Sequence, residues 1–282
     1  MWIVVALALL IAPLPAQLSF RSTVTFGDSL TANSTEEGLP ARFARLFGKD
    51  PMEAVFDKAR GPKDRLKNYA AAGSVASGIP RQFTRYLLDR QKKQAPEATF
   101  VSYQTGGNDI MRGLFWMMLG PPGKSRRIDK KLDALIARMR THIDGAGRTH
   151  PKAVILVWTI PDITIAPGAT WVGKRRGDHV RAHITRVNDA IKKEAGHLEN
   201  VVLLDLEAIW KKIQKKPPVI MGRSVKMPPA SGERDCFFAD HLHPSALGNV
   251  LLANHIIKLL NRKFGTKIPS YTEREIAVIA TK

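Results

Sequence analysis

The chain has 282 residues, of which 44% are hydrophobic and 24% are charged, and its formal net charge is +19. This length and composition fit a soluble globular protein with a sizeable core. The positive charge predicts attraction to anionic partners. Because the basic residues are scattered and carry no nucleic-acid-binding motif, we expect no specific nucleic-acid partner. Cys236 is the only cysteine, which excludes a disulfide within the chain, and its apolar neighbours predict burial.

An uncharged apolar segment opens the chain. Residues 2–12 are apolar, Pro13 and Pro15 follow, and Ala16 is a small residue suited to cleavage. The segment is shorter than the roughly 20 residues that span a bilayer, and no later segment is apolar enough to do so. We therefore expect residues 1–16 to be a signal peptide, with an uncleaved anchor as the alternative. Residues 17–282 are expected to form a single domain of a secreted or periplasmic protein.

Short apolar runs alternate with longer segments of helical periodicity. Strands are predicted at Thr23–Phe26, Thr99–Gln104, Val154–Thr159 and Val201–Leu204, with a weaker one at Ala54–Phe56 or Leu66–Tyr69. Helices are predicted at about 39–48, 80–93, 129–146, 179–196 and 245–263. Long loops, which are often functional, are expected at 114–128, 161–178 and 215–235. This alternation predicts an α/β domain with a central parallel sheet covered on both faces.

Polar residues follow the first and third predicted strands. The first strand turns through Gly27-Asp28-Ser29-Leu30, and the third leads into Gly106-Gly107-Asn108-Asp109. Because ligands bind beyond the carboxyl ends of parallel strands, Ser29 and Asn108 are expected at the same edge of the sheet. The Ser29 hydroxyl is a candidate nucleophile, while its N–H and the Asn108 amide are candidate donors to an oxyanion. Helix capping and turn formation are the alternative roles.

A candidate general base lies near the carboxyl end, in Asp240-His241-Leu242-His243-Pro244. A histidine can accept the proton of a serine hydroxyl, and a carboxylate can fix its tautomer. Asp240 and His243 are three residues apart, a spacing that allows contact on a turn leading into a helix. The adjacent His241 generally points away from Asp240, so we favour His243 as the base.

Together these segments resemble the GDSL/SGNH hydrolase family. Its four ordered blocks are similar to Gly27–Leu30, Asn68–Gly73, Gly106–Asp109 and Asp240–Pro244, and the resemblance extends from about residue 23 to 260. The resemblance implies a flavodoxin-like three-layer α/β/α sandwich. Thr159-Ile160-Pro161-Asp162 is similar to the family's loop over the substrate cleft.

The resemblance also implies the roles of individual residues. It implies a catalytic triad of Ser29, Asp240 and His243, and an oxyanion hole formed by the N–H groups of Ser29 and Gly73 with the side chain of Asn108. The predicted function is hydrolysis of a lipid, acetylated-glycan or small acyl ester through an acyl-enzyme. The alternative is a basic exported binding protein of the same fold with an unused site.

Neither a cofactor nor a metal is expected. The triad needs no Lewis acid. His179 and His183 have the spacing of one helix face, but no third metal ligand is evident. Gly123-Lys124-Ser125 is similar to the end of a phosphate-binding loop but lacks the required first glycine.

One apolar run lies beside a cationic run. Gly113–Leu119 is apolar, and five basic residues follow it: Lys124, Arg126, Arg127, Lys130 and Lys131. This combination suits contact with an anionic interface, or an acyl-binding wall with a basic rim. The alternative is that Phe115, Trp116 and Leu119 belong to a buried helix.

Overall fold

The computed structural model describes residues 17–32, 49–227 and 236–281, so the predicted signal peptide and the predicted helix at 39–48 lie outside the described residues. Five strands form one sheet: β1 (Ser22–Phe26), β2 (Arg65–Asn68), β3 (Phe100–Tyr103), β4 (Val154–Trp158) and β5 (Val201–Leu204). Their order is β2-β1-β3-β4-β5, and every neighbouring pair is parallel. This is the flavodoxin-like order, which confirms the predicted fold class.

Helices precede or follow each strand. They are α1 (Pro51–Ala59), α2 (Ile79–Gln91), α3 (Gly107–Met117), α4 (Arg126–Thr149), α5 (Lys174–Ala195), α6 (Leu206–Lys215), α7 (Ala246–Phe264) and α8 (Glu273–Thr281). A two-stranded antiparallel hairpin, β6 (Val219–Ile220) and β7 (Arg223–Ser224), follows α6. Within the described ranges, no helix is long and apolar enough to cross a membrane.

The strands separate two hydrophobic cores. Alternate side chains such as Val101 and Tyr103 pack with α2, α3, α4 and α5 on one face. Their neighbours, such as Phe100, pack with α1, α6, α7 and α8 on the other face. Every residue of β4 is buried, as expected for a central parallel strand covered on both sides. The result is the predicted three-layer sandwich.

The weak second strand is the later of its two candidates. β2 nearly coincides with Leu66–Tyr69, whereas Ala54–Phe56 lies inside α1. The Asp50 side chain accepts hydrogen bonds from Met52 N and Glu53 N, so a capping box starts this helix. β2 is an edge strand with partly exposed side chains, which explains its faint apolar signal.

The predicted loops contain more regular structure than expected. α3 extends into 114–128, the first turn of α5 lies in 161–178 together with two short 3₁₀ segments, and the hairpin lies in 215–235. The helices α1, α6 and α8 were not predicted, and a helix around Phe115 was considered only as an alternative. α3 begins directly after Gly106, whose φ of +99° suits glycine, and we interpreted this glycine pair only as a turn.

Candidate active site

Ser29 lies in the turn that follows β1. The Asp28 carbonyl accepts hydrogen bonds from Thr31 N at 3.1 Å and Ala32 N at 2.8 Å, so the chain leaves the strand directly into a helical turn. Asn108 follows β3, the neighbour of β1, while β2 lies on the other side of β1. Ser29 and Asn108 therefore flank the point where the strand order reverses, which is where ligands bind in open parallel sheets.

Two glutamines hold the serine turn in place. The buried Gln82 of α2 accepts from Gly27 N–H at 2.9 Å and donates to the Gly27 carbonyl at 2.7 Å. Gln104, directly after β3, accepts from Asp28 N–H at 3.3 Å and donates to Asp28 Oδ2 at 3.2 Å. A Cβ on Gly27 would lie 2.4 Å from the Gln104 carbonyl oxygen, so only glycine fits this close approach.

The sequence analysis did not identify either glutamine. A signal for Gln82 was present, because it lies three residues after Ile79 and four before Tyr86, both of which are buried on the apolar face of α2. A polar residue on such a face requires a hydrogen-bonding partner.

Asp240, His243 and Ser29 form a continuous chain of hydrogen bonds. His243 Nε2 lies 2.8 Å from Ser29 Oγ, and His243 Nδ1 lies 2.8 Å from Asp240 Oδ2. The second carboxylate oxygen, Asp240 Oδ1, accepts from Leu242 N–H at 2.7 Å and from His243 N–H at 2.6 Å. His241 is exposed. The structure thus brings together the three residues predicted to be a triad, and it is His243 that reaches the serine.

The two aspartates near His243 have different electrostatic surroundings. Burial raises the pKa of Asp240, but its hydrogen bonds to His243 and the charge of that ring outweigh burial and lower the pKa below its usual value. Asp28 is fully buried, and burial raises its pKa to about 6 despite hydrogen bonds from Leu30 N–H and Gln104. Asp240 is therefore the carboxylate suited to a permanent negative charge beside the imidazole.

The first turn of α3 holds the loop that contains Gly73. Asn108 Nδ2 donates to the Ser74 carbonyl at 2.9 Å, and Asp109 Oδ2 accepts from Ala76 N–H at 2.8 Å. Gly73 has a φ of +73°, a conformation that favours glycine. The loop is also tied to the serine turn, because Ala71 N–H donates to the Gly27 carbonyl at 3.1 Å.

Three N–H donors are available around Ser29. Among the described residues, neither the Ser29 N–H nor the Gly73 N–H donates to a protein acceptor. Asn108 uses one of its two amide hydrogens on Ser74 and retains the other. Asn108 lines the cleft described next, whereas Gly73 is not one of the described residues that line it.

A cleft opens over Ser29 and His243. Most of its remaining walls are apolar, formed by Leu30, Met111, Pro161, Ile163, Trp210 and Leu242. Pro161 lies in the segment that resembles a loop over the substrate cleft. The buried Asn188 positions this segment, because it accepts from Ile160 N–H and donates to the Ile160 carbonyl, both at 2.8 Å. We did not predict this role for Asn188.

Two histidines that the sequence analysis considered as metal ligands, His179 and His183, contact backbone carbonyl groups. His179 Nδ1 and His183 Nε2 lie 3.2 Å and 2.9 Å from the carbonyl oxygens of Met118 and Gly120. They therefore fasten the segment after α3 to α5. No group of three or more potential metal ligands occurs in the described parts of the chain. Cys236 is buried, as predicted.

Comparison with known proteins agrees with this architecture. The family model described as GDSL-like Lipase/Acylhydrolase matches residues 23–256. A catalytic variant of an acetylxylan esterase from Geobacillus stearothermophilus superposes with a TM-score of 0.56 at 19% identity, covering 90% of this chain and 98% of the esterase. An α/β hydrolase from the metagenome of Lake Arreo gives a TM-score of 0.50 at 19% identity, covering 85% of this chain and 94% of the hydrolase. A search of the curated proteins finds no matching sequence. At these identities, the structural likeness shows the fold alone.

Proposed function

The chain belongs to the GDSL-like Lipase/Acylhydrolase family and is an ester-cleaving enzyme, and from this premise we propose that it hydrolyses carboxylic esters with Ser29 as its nucleophile. The observation that carries the proposal is the hydrogen-bond chain from Asp240 through His243 to Ser29. Nucleophile and base are within hydrogen-bond reach, and a third group orients the base, which is the arrangement that activates a serine.

Each group has a defined role in the proposed reaction. Ser29 Oγ attacks the ester carbonyl carbon as its proton passes to His243 Nε2, and Asp240 stabilises the imidazolium that forms. The Ser29 and Gly73 N–H groups and the Asn108 amide donate to the oxyanion; one such donor typically contributes about 3 kcal/mol. Collapse of the tetrahedral intermediate expels the alcohol, which takes the proton from His243. Water then attacks the acyl-enzyme by the same route, which releases the acid and restores Ser29.

The walls of the cleft favour an aliphatic acyl chain. Among the residues that line it, Met111, Ile163 and Leu242 are apolar, and the side chains with oxygen or ring nitrogen atoms are those of the serine turn, Asn108, Trp210 and His243. Few polar groups are left to hold the hydroxyls of a sugar, because specific sites recognise such groups with hydrogen bonds. We therefore favour a lipid ester over an acetylated glycan, although a structural neighbour is an acetylxylan esterase.

A fluorophosphonate probe tests the mechanism. We expect it to label Ser29 covalently, to leave the Ser29→Ala variant unlabelled, and to label the His241→Ala variant normally. An unlabelled native protein would refute Ser29 as the nucleophile.

A substrate panel tests the specificity. Acyl p-nitrophenyl esters of increasing chain length should be hydrolysed with higher kcat/KM than the acetyl ester, and acetylated xylan should be a poor substrate. A clear preference for acetylated xylan would refute the lipid assignment without affecting the triad.

We also propose export of the protein, with removal of residues 1–16. The support is the apolar, uncharged character of this segment. Amino-terminal sequencing of the protein recovered outside the cytoplasm should begin at Gln17, and an intact Met1 would contradict cleavage.

A further inference from the structure

The end of α3 exposes large apolar side chains. Phe115 is 61% exposed, Trp116 39% and Leu119 65%; we call these three residues the apolar ridge. The opposite face of the same helix is also apolar, because Leu114 and Met117 are buried in the core. A surface helix normally presents polar residues to water. Because α3 is apolar on its exposed face as well as on its buried face, the exposed face is expected to contact another molecule.

The apolar ridge is continuous with the cleft. Asn108 and Met111 line the cleft from the first turns of α3. Met111, Phe115 and Leu119 follow one another at intervals of four residues, which places them along one stripe of the helical segment. A surface that touched Phe115 and Leu119 would therefore lie beside the opening above Ser29.

Cations flank the ridge. The Arg127 guanidinium lies 5.0 Å above the Trp116 ring, which joins the start of α4 to the ridge. Lys130 and Lys131 are three and four residues further along α4, on the same face as Arg127. Lys124 and Arg126 are also exposed. We call these five residues the basic flank: Lys124, Arg126, Arg127, Lys130 and Lys131.

The charge of the basic flank is not neutralised by nearby acids. Within the described residues, no member of the basic flank forms an ion pair with a carboxylate. The nearest aspartates along α4 are Asp129 and Asp133, and both pair with Arg186 of α5. His179 and His183 fasten the segment after the ridge to the same helix. The ridge and flank are thus held as one surface.

We propose that the apolar ridge and the basic flank bind the surface of a lipid membrane that contains anionic headgroups. The apolar side chains enter the boundary between headgroups and acyl chains, and the cations pair with the headgroups. A soluble polyanion would pair with the cations but leave Phe115 and Leu119 in water, so charge and apolar exposure together favour the membrane. Binding requires no chemistry at Ser29, and it places the cleft at the lipid surface.

Vesicle sedimentation with the Ser29→Ala variant tests binding without hydrolysis. We expect binding to phosphatidylcholine vesicles that contain phosphatidylglycerol, weak binding to pure phosphatidylcholine, and release as salt rises, because salt screens charges beyond about 8 Å at physiological ionic strength. Equal affinity for both vesicle types, or no binding to either, would overturn the proposal.

An apolar double variant tests the ridge. Phe115→Ser with Leu119→Ser should weaken vesicle binding on the order of 100-fold, roughly tenfold for each side chain withdrawn from the lipid. The matched control is Val219→Ser with Met221→Ser, which removes side chains of 57% and 60% exposure from the hairpin on the other side of the sheet. The control should bind like the parent. Equal losses in both variants would refute a specific ridge.

A charge variant tests the flank against a control of the same net charge. Each cation near an anionic membrane contributes about fivefold to binding, so replacing three by Gln should weaken it on the order of 100-fold. The variant changes Arg127, Lys130 and Lys131; the control changes three exposed lysines on or next to α6, on the opposite face of the sheet: Lys212, Lys215 and Lys216. Indistinguishable losses would show that only net charge matters, which overturns the proposal.

Two further measurements separate the possible failures. With Ser29 intact, the ridge and flank variants should hydrolyse a small soluble ester at the parent rate. An enzyme active on that ester but unable to bind vesicles would refute the membrane inference and leave the proposed function standing. Tight binding to a soluble polyanion that is unchanged by Phe115→Ser with Leu119→Ser would instead identify a polyanion site.

Discussion

Replacement of Asp240 distinguishes a catalytic carboxylate from a structural one. Asp240 Oδ1 accepts from two backbone N–H groups, those of Leu242 and His243, while Oδ2 faces His243 Nδ1. In Asp240→Asn, the single amide oxygen is held by the two N–H donors, so the NH₂ group faces Nδ1. The imidazole must then carry its proton on Nε2, and it can no longer accept the proton of Ser29.

The two variants of Asp240 should therefore differ. Asp240→Ala loses a hydrogen bond to a charged group, about 3 kcal/mol, which corresponds to roughly a 100-fold lower kcat/KM. Asp240→Asn also holds the imidazole of His243 in the wrong tautomer, so its kcat/KM should fall on the order of 10⁴-fold, by analogy with serine proteases. Ser29→Ala and His243→Ala should each lose on the order of 10⁶-fold, and their double variant should be little worse, since the groups act as one unit.

The assay is hydrolysis of a soluble p-nitrophenyl ester, with thermal unfolding measured in parallel. Asp240→Ala also leaves two backbone N–H groups without their acceptor, so its Tm should fall, whereas Asp240→Asn should retain most of its stability. His241→Ala is the matched control and should remain close to wild type. The reasoning fails if Asp240→Asn keeps nearly full activity, or if His241→Ala is inactive while His243→Ala is active.

Three more predictions concern the serine turn and the reaction. Gln82→Met should leave the buried N–H of Gly27 unpaired, while the Gly27 carbonyl keeps its hydrogen bond from Ala71 N–H. The free energy of unfolding should therefore fall by about 1–3 kcal/mol, as measured with urea; a loss below 0.5 kcal/mol would contradict the role given to Gln82. Asp28 has a pKa of about 6 in the folded protein against an ordinary value of 3.8, so folding favours its protonated form and stability falls as the pH rises between these values. The difference between the two pKa values corresponds to about 3 kcal/mol of stability. The free energy of unfolding of Asp28→Asn, measured at pH 4 and pH 7, should not show this decrease. EDTA should leave ester hydrolysis intact, because the triad supplies nucleophile and base; activity lost with EDTA and restored by a divalent ion would show otherwise.

Local sequence patterns predicted the four strands that are largely buried on both faces of the sheet. β1, β3, β4 and β5 are bounded within one or two residues of their apolar runs, because parallel strands covered on both faces need continuous apolar sequence. The edge strand β2 and the helix α1 were harder to tell apart. The side chains of β2 are only partly buried, so its apolar pattern is weak. The apolar residues of α1 form a short run that resembles a strand, and only the packing of this segment shows that they are buried in a helix.

The helix α3 shows why periodicity alone was not enough. Its apolar residues occur on two faces, since Leu114 and Met117 pack inside while Phe115 and Leu119 are exposed. A helix with one apolar stripe repeats its apolar residues about every 3.6 positions, but a segment that is apolar on two faces does not show this repeat. Only the packing of α3 against its neighbours decides which of these residues meet the core.

The sequence by itself determined the family, the α/β class and the candidate residues Ser29, Asp240 and His243, because short motifs carry both a turn and its reactive side chains. The tertiary structure decided what depends on distant segments meeting. Ser29 and His243 are 214 residues apart in the chain, yet their side-chain atoms approach to 2.8 Å. Gln82 reaches the Gly27 backbone from a different element in the same way. Such contacts arise from the crossover of parallel strands, which local sequence does not encode.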